Sequence, residues 1–215
     1  MLKLVLASRN KGKITELRWY LANMCPHTIW ELSPLSAYPE APEVEEDGET
    51  FRDNAVKKAT VVAKAVGEWA LADDSGLEVD ALGGAPGVYS ARYAGLNHLG
   101  ERDDQKNNEK LLTELVGVPL SRRTARFKSV IALASPEGKV WTAEGSCEGY
   151  ISLEPRGERG FGYDPLFYLP EYGLTMAELT EEEKNRISHR ARAMEQFLRI
   201  LTEVEREINS KTNTG

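Results

Sequence analysis

Cysteine is scarce. The chain has two, Cys25 and Cys147, far apart and with no CxxC spacing. That argues against a disulfide framework and a zinc site, and it fits a reducing, cytoplasmic setting. A basic surplus is also missing: 27 Lys and Arg stand against 34 Asp and Glu, for a net charge of −7. A long phosphate polymer needs an excess of cations, so non-specific nucleic-acid binding is not expected, whereas a small nucleotide needs only a local cationic pocket. Long apolar runs are lacking too. Leu4-Val5-Leu6-Ala7 gives way at once to Arg9 and Lys11, too short a run for a signal segment or a membrane span. No internal repeat is present. What the chain does hold is 215 residues, 41% hydrophobic and 28% charged, enough to bury a core as one domain or two packed lobes. Only Asn209 to Gly215 reads as a loose tail, which leaves residues 1–208 as the domain.

The stretch from Trp69 to Asp80 anchors the reading. Apolar residues run to Ala72, then Asp73, Asp74, Ser75 and Gly76 follow. An apolar run that ends in acids and a glycine predicts a buried strand carrying charge at its tip, where open α/β sheets bind ligands. Adjacent strand residues point to opposite faces, so one acid can face a ligand while the other bonds locally. Hard carboxylate oxygens suit Mg²⁺, and the same four residues also suit an Asx-type turn. Earlier in the chain, strand Leu2–Ala7 leads through Ser8, Arg9, Asn10, Lys11, Gly12 and Lys13 into a helix marked by Ile14, Leu17, Leu21 and Met24. A helix start with its unpaired N–H groups and positive dipole end favours a phosphate; alternatively Ser8 or Asn10 simply caps the helix and the lysines are solvated. Ile14 follows the lysine where a P-loop needs Ser or Thr, so this is not a Walker A loop.

Residues 34–49 form a proline-containing loop rich in acid, with Glu43, Glu45, Glu46 and Asp47 before Gly48. Thr50 and Asp53 have capping-box spacing and open a helix whose stripe is Phe51, Ala55, Ala59, Val62, Ala63 and Val66. Asn54 and Lys58, four apart, share a face within reach of a phosphate or open to water. The glycine cluster Gly83–Gly87 predicts a tight loop, and Arg92 after it is a phosphate fork or an anchor. Asp103–Leu115 predicts a helix. Arg126–Ala134 and Val140–Ile151 predict an antiparallel hairpin, which makes the sheet mixed and the class α/β. Phe161 sits among Gly157, Gly160 and Gly162, on a mobile loop suited to stacking on a base; its other option is the core. A short strand is expected over 166–169. Thr175 and Thr180 each have a glutamate three residues on and predict two N-caps. A final helix opens at Ser188, with Lys184, His189 and Arg190 as a donor cluster. Acids, a basic turn, an exposed aromatic and a second basic cluster together describe a nucleoside triphosphate with Mg²⁺ and an acid that deprotonates water.

Five motifs in order carry a resemblance. They are Ser8-x-Asn10-x-Gly12-Lys13-x-x-Glu16, Asp73-Asp74-Ser75-Gly76, Gly83 to Gly87 with Tyr89 to Tyr93, Phe161 to Pro165, and Ser188-His189-Arg190. The chain resembles the inosine triphosphate pyrophosphatase family from its first strand to its last helix. The resemblance implies a long curved mixed β-sheet flanked by helices, two lobes with a nucleotide cleft between them, and a homodimer. It implies Mg²⁺-dependent conversion of ITP, dITP or XTP to the monophosphate and pyrophosphate. By motif, Ser8, Arg9, Asn10, Lys11, Gly12 and Lys13 cradle the triphosphate, with Lys58 nearby. Asp74 binds the metal and acts as the catalytic base, Glu45 is the second metal carboxylate with Glu46 adjacent, and Ser75 touches substrate. Phe161 stacks on the base, lined by Gly162, Tyr163 and Asp164, while Lys184, His189 and Arg190 contact its edge. Two other readings are a Maf-like pyrophosphatase acting on other modified nucleotides, and a nucleotide-binding regulator without turnover.

Overall fold

The computed structural model describes residues 1–24, 29–97, 100 and 102–212. Strand β1 (Leu2–Leu6) is buried at its last three positions and passes through a polar turn into helix α1 (Lys11–Met24). Leu17 and Leu21 are buried as the periodicity predicts, but Met24 is exposed, so the apolar stripe ends one turn early. Strand β2 (Trp30–Pro34) was not legible: its five residues neither alternate nor form an apolar run. It pairs in parallel with β1, Leu2 opposite Trp30 through Leu6 opposite Pro34, at the edge of the sheet, where a proline is tolerated.

Helix α2 (Phe51–Val66) carries the expected capping box, with Thr50 and Asp53 each satisfying the other's backbone N–H, and Gly67 ends it at a left-handed φ of 68°. Strand β3 (Trp69–Val79) corrects one expectation. It does not stop at Ala72 but runs eleven residues, so Asp73 and Asp74 lie mid-strand rather than at a tip. The strand tolerates them because Lys13 Nζ lies 2.8 Å from Asp73 Oδ2 and matches its buried charge. Helix α3 (Asp104–Glu114) starts at the Asp103 cap as predicted. Strands β4 (Thr124–Ala134) and β5 (Val140–Ile151) form the expected hairpin, closed by Ser135 N–H donating to the Lys139 carbonyl at 2.9 Å.

Strands β6 (Phe167–Leu169) and β7 (Leu174–Thr175) follow. Thr175 is therefore not the N-cap its spacing suggested. Its N–H donates to Glu178 Oε2 at 2.7 Å and its hydroxyl to the Arg156 carbonyl at 2.8 Å, which ties a turn instead of opening a helix. Thr180 does cap helix α4 (Glu181–Ile187) through a capping box with Glu183. Helix α5 (His189–Thr212) begins after Ser188 and continues past Asn209, where a tail was expected; 213–215 lie outside the described residues, as does Cys25. Cys147 is buried and forms no disulfide.

The seven strands run in the order β2-β1-β3-β4-β5-β6-β7, with β1 parallel to β3 and β5, β6 and β7 antiparallel, so the sheet is mixed. The chain divides into two compact units. The first comprises residues 1–74, 130–145 and everything from 191 on, and its core joins Leu4, Leu6, Leu17, Leu71, Ile131, Phe197 and Leu201. Trp30 and Trp141 both pack on Trp69 there, with ring centres 5.1 and 5.6 Å away. The second comprises 75–129 and 146–190, and its core joins Leu77, Leu111, Phe127, Leu166, Phe167 and Met176. Among the described residues no helix is long and apolar enough to cross a membrane.

Candidate active site

In the first unit, β3 and α2 bring acids and lysines together. Asp74 is 6% exposed and its Oδ2 is buried without a hydrogen bond to any described residue. Burial raises its pKa above the usual aspartate value, and this outweighs the opposing charges of Lys58 and Lys13, while Glu46 adds to the rise. Lys58 Nζ lies 3.6 Å from Asp74 Oδ1, donates to the Asp73 carbonyl at 2.9 Å and contacts the Glu46 carboxylate. Burial works to lower the Lys58 pKa, but Asp74 and Glu46 override it and hold the ammonium above its usual range.

Helix α2 grips the acid loop at three successive residues. Lys58 holds Glu46, Lys57 Nζ reaches Asp47 Oδ1 at 2.5 Å, and the Gly48 N–H donates to Asn54 Oδ1 at 2.8 Å. A Cβ on Gly48 would fall 2.7 Å from that oxygen, which is why glycine stands there. Asn54 is 1% exposed, and its Nδ2 is buried without a hydrogen bond among the described residues. The structure separates the two adjacent glutamates. Glu45 is exposed, and Glu46 is the acid drawn in beside Lys58 and Asp74. Sequence spacing alone could not separate two adjacent glutamates; the Gly48–Asn54 bond fixes which one turns inward.

The Ser8–Lys13 turn is present, but its helix start is already capped. Asn10 Oδ1 accepts from the N–H groups of Gly12 at 3.0 Å and Lys13 at 3.3 Å, and Ser8 Oγ accepts from the Asn10 N–H at 3.2 Å. Lys13 reaches Asp73, Lys11 is exposed, and Arg9 sits 3.7 Å from Glu43 on the surface. The capping option therefore describes the Asn10 side chain, while Lys13 brings a cation to the strand carrying Asp74.

In the second unit, Phe161 is half-buried and ringed by cations. Lys184 Nζ lies 4.8 Å from its ring centre, Arg102 Cζ 5.8 Å and Arg190 Cζ 5.9 Å. The loop is tied down by several hydrogen bonds. Asp164 Oδ2 accepts from the Phe161 N–H at 2.9 Å and from Lys184 Nζ at 2.7 Å. Asp104 Oδ2 accepts from the Gly162 N–H at 2.8 Å, and Asn108 Nδ2 donates to the Gly162 carbonyl at 2.9 Å. Gly160 has a φ of 80°, and a Cβ there would lie 2.1 Å from Asp164 Oδ2. Tyr163 does not line this group. It is 4% exposed and its hydroxyl donates to the Ser90 carbonyl at 2.8 Å, so it anchors the loop from beneath. His189 is buried with its ring stacked on Phe127 at 4.8 Å, and Arg190 donates to Ser75 Oγ at 2.9 Å. Arg102, Asp104 and Asn108 escaped the sequence reading, because each meets the Phe161 loop across more than fifty residues and no motif spacing records such a contact.

Residues 4–200 match the sequence model of the Ham1 family. A dITP/XTP pyrophosphatase of Desulforamulus reducens is 57% identical over 200 residues, 93% of this chain and 96% of that protein. One of the same name from Geobacter sulfurreducens is 55% identical over 194 residues, 90% of this chain and 94% of its own length. Among solved structures, a HAM1 protein from Coxiella burnetii is 44% identical with a TM-score of 0.84, covering 94% of this chain and 100% of that one. The Staphylococcus aureus Ham1 protein is 40% identical with a TM-score of 0.81, covering 94% and 98%. By family match and by near-full-length identity, this chain belongs to the Ham1 family.

Proposed function

We propose that the protein hydrolyses deaminated purine nucleoside triphosphates (ITP, dITP and XTP) to the monophosphate and pyrophosphate, with Mg²⁺ and with Asp74 as the base. The relatives named dITP/XTP pyrophosphatase supply the substrate class. Asp74 supplies the chemistry, and it is the observation on which the reading rests. A buried carboxyl whose pKa burial raises, with an oxygen that takes no hydrogen bond among the described residues, is suited to accept a proton from water. No group of three or more His, Cys, Asp or Glu side chains suited to a metal occurs among the described residues. Mg²⁺ needs only one or two carboxylates beside water and phosphate, and the hard oxygens of Asp74 and Glu46 fit that demand. When bound, the ion supplies Lewis-acid polarisation of the phosphate oxygens.

The residues divide the remaining work. Asp74 Oδ2 takes a proton from the attacking water, the water oxygen bonds to phosphorus, and the anhydride between the α- and β-phosphates opens, its electron pair leaving with the departing phosphate oxygen. Lys58 and Lys13 hold phosphate oxygens. Phe161 stacks on the base. Lys184, Arg190 and His189 present donors to the C6 oxygen of hypoxanthine and xanthine, where adenine would set donor against donor. Leaving such buried donors unpaired discriminates by roughly 10⁴-fold. The enzyme acts as a homodimer in the cytoplasm, a state that light scattering of the purified protein measures directly.

The test is a panel of ITP, dITP, XTP, GTP and ATP with Mg²⁺, with pyrophosphate and orthophosphate assayed separately. The proposal expects pyrophosphate from the first three and little turnover of ATP. Orthophosphate as the main product, or ATP cleaved as fast as ITP, would overturn it.

A further inference from the structure

The cations around Phe161 are unequally balanced. Lys184 is answered by Asp164 at 2.7 Å, and Arg190 is 1% exposed and donates to Ser75. Arg102 differs from both. It is the exposed one of the three, and its ion pair with Asp104 is long, at 3.7 Å. The other oxygen of Asp104 is engaged by the Gly162 N–H. Arg102, exposed and joined to Asp104 only at 3.7 Å, thus sets a loosely held positive charge 5.8 Å from the ring centre. Among the described residues the titratable neighbours of this loop also include Tyr163, which burial keeps in its neutral form with Tyr93 and Glu114 near it, and His189 on α5, stacked on Phe127.

Deaminated purines differ in charge. Hypoxanthine is neutral at physiological pH. Xanthine carries a second carbonyl at C2 and gives up a ring proton near neutrality, so its six-membered ring becomes anionic. A guanidinium on a long, solvent-reaching stem discriminates between them by Coulomb attraction, and its planar fork matches a carbonyl beside a deprotonated nitrogen.

Taking Phe161 as the base platform, we infer that Arg102 sets the preference for xanthine over hypoxanthine nucleotides by pairing with the anionic xanthine ring. Lys184 and Arg190 serve both bases through the shared C6 oxygen; Arg102 adds an attraction that only xanthine returns. The Asp104 carboxylate holds Arg102 loosely and Gly162 firmly, so the cation can turn towards the base edge while the platform stays fixed.

The experiment measures kcat/KM for XTP and ITP in the wild type, Arg102→Gln, Arg102→Lys and Phe161→Leu, between mildly acidic and mildly alkaline pH. In Arg102→Gln the XTP-to-ITP ratio falls roughly tenfold, the scale of one partly exposed charge pair. Arg102→Lys restores much of it. In the wild type the ratio climbs as xanthosine ionises, followed in parallel by its ultraviolet spectrum, and in Arg102→Gln that climb flattens. An unchanged ratio and an unchanged pH profile in Arg102→Gln, with Phe161→Leu lowering both substrates, would overturn the role of Arg102 and leave the platform standing. A Phe161→Leu enzyme as efficient as the wild type would instead remove the platform, and this inference with it.

Discussion

Replacing Asp164 with alanine removes the carboxylate that organises the Phe161 loop. One oxygen, Oδ2, accepts both the Phe161 N–H at 2.9 Å and the Lys184 ammonium at 2.7 Å, with the two side chains 5% and 9% exposed. The variant takes the 2.7 Å carboxylate partner from a buried ammonium and removes the acceptor of a backbone donor. Breaking one side of a buried pair costs about 3–5 kcal/mol. In a chain of this length each kcal/mol is worth about 2–4 °C, so the melting point should fall by roughly 10 °C. Urea unfolding followed by far-ultraviolet circular dichroism reads the loss as a lower midpoint at constant slope. Adding Lys184→Met removes the buried charge that lost its carboxylate, in a similar volume, so the double variant should regain most of the stability even though it lacks both groups. If Asp164→Ala alone stayed within about 1 kcal/mol of the wild type, or if Lys184→Met deepened the loss, the pair would not be organising this loop and the reasoning would fail.

Three further outcomes follow from the same geometry. Because the folded-state pKa of Asp74 is raised, the ionised carboxylate costs stability above that pKa, and the cost fades as pH falls towards the unfolded value; Asp74→Asn should therefore raise the melting temperature at neutral pH, with a gain that shrinks on acidification. Asn108→Leu removes the donor to the Gly162 carbonyl and should raise KM for ITP several-fold with kcat nearly held, while inhibition by inorganic tripolyphosphate, which has no base to stack, stays as in the wild type. Thr50→Ala breaks the capping box of α2 and should cost about 1 kcal/mol in thermal unfolding, with no effect expected if water replaced the cap fully.

Much of the scaffold is legible from local chemistry. The Thr50 and Thr180 capping boxes, the Asp103 cap, the β4–β5 hairpin and the start of α5 each rest on residues a few positions apart, and each is found where its pattern predicts. Reading fails where distant partners decide. A buried Asp73-Asp74 pair looks like the end of a strand until Lys13, sixty residues earlier, is seen to neutralise Asp73. Thr175 has the spacing of an N-cap, yet the Arg156 carbonyl claims its hydroxyl. β2 is held by its pairing with β1 and has no periodicity to betray it. The candidate site divides the same way. Asp74, Lys13, Lys58, Phe161 and Arg190 stand out by residue type and motif. The contact of Glu46 with Lys58, the inward turn of Tyr163, and the hold of Asp104 and Asn108 on Gly162 are set by three-dimensional contacts.

The central claim is that Asp74 removes the proton from the attacking water. The most direct measurement follows ITP binding and ITP turnover side by side in the wild type and Asp74→Asn, with the intrinsic fluorescence of the four tryptophans, all of them in the Asp74 unit, as the binding signal. The account predicts that the variant binds ITP within severalfold of the wild type while pyrophosphate release falls by roughly 10²–10⁴-fold. A variant that binds and turns over ITP at near-normal rates would contradict it.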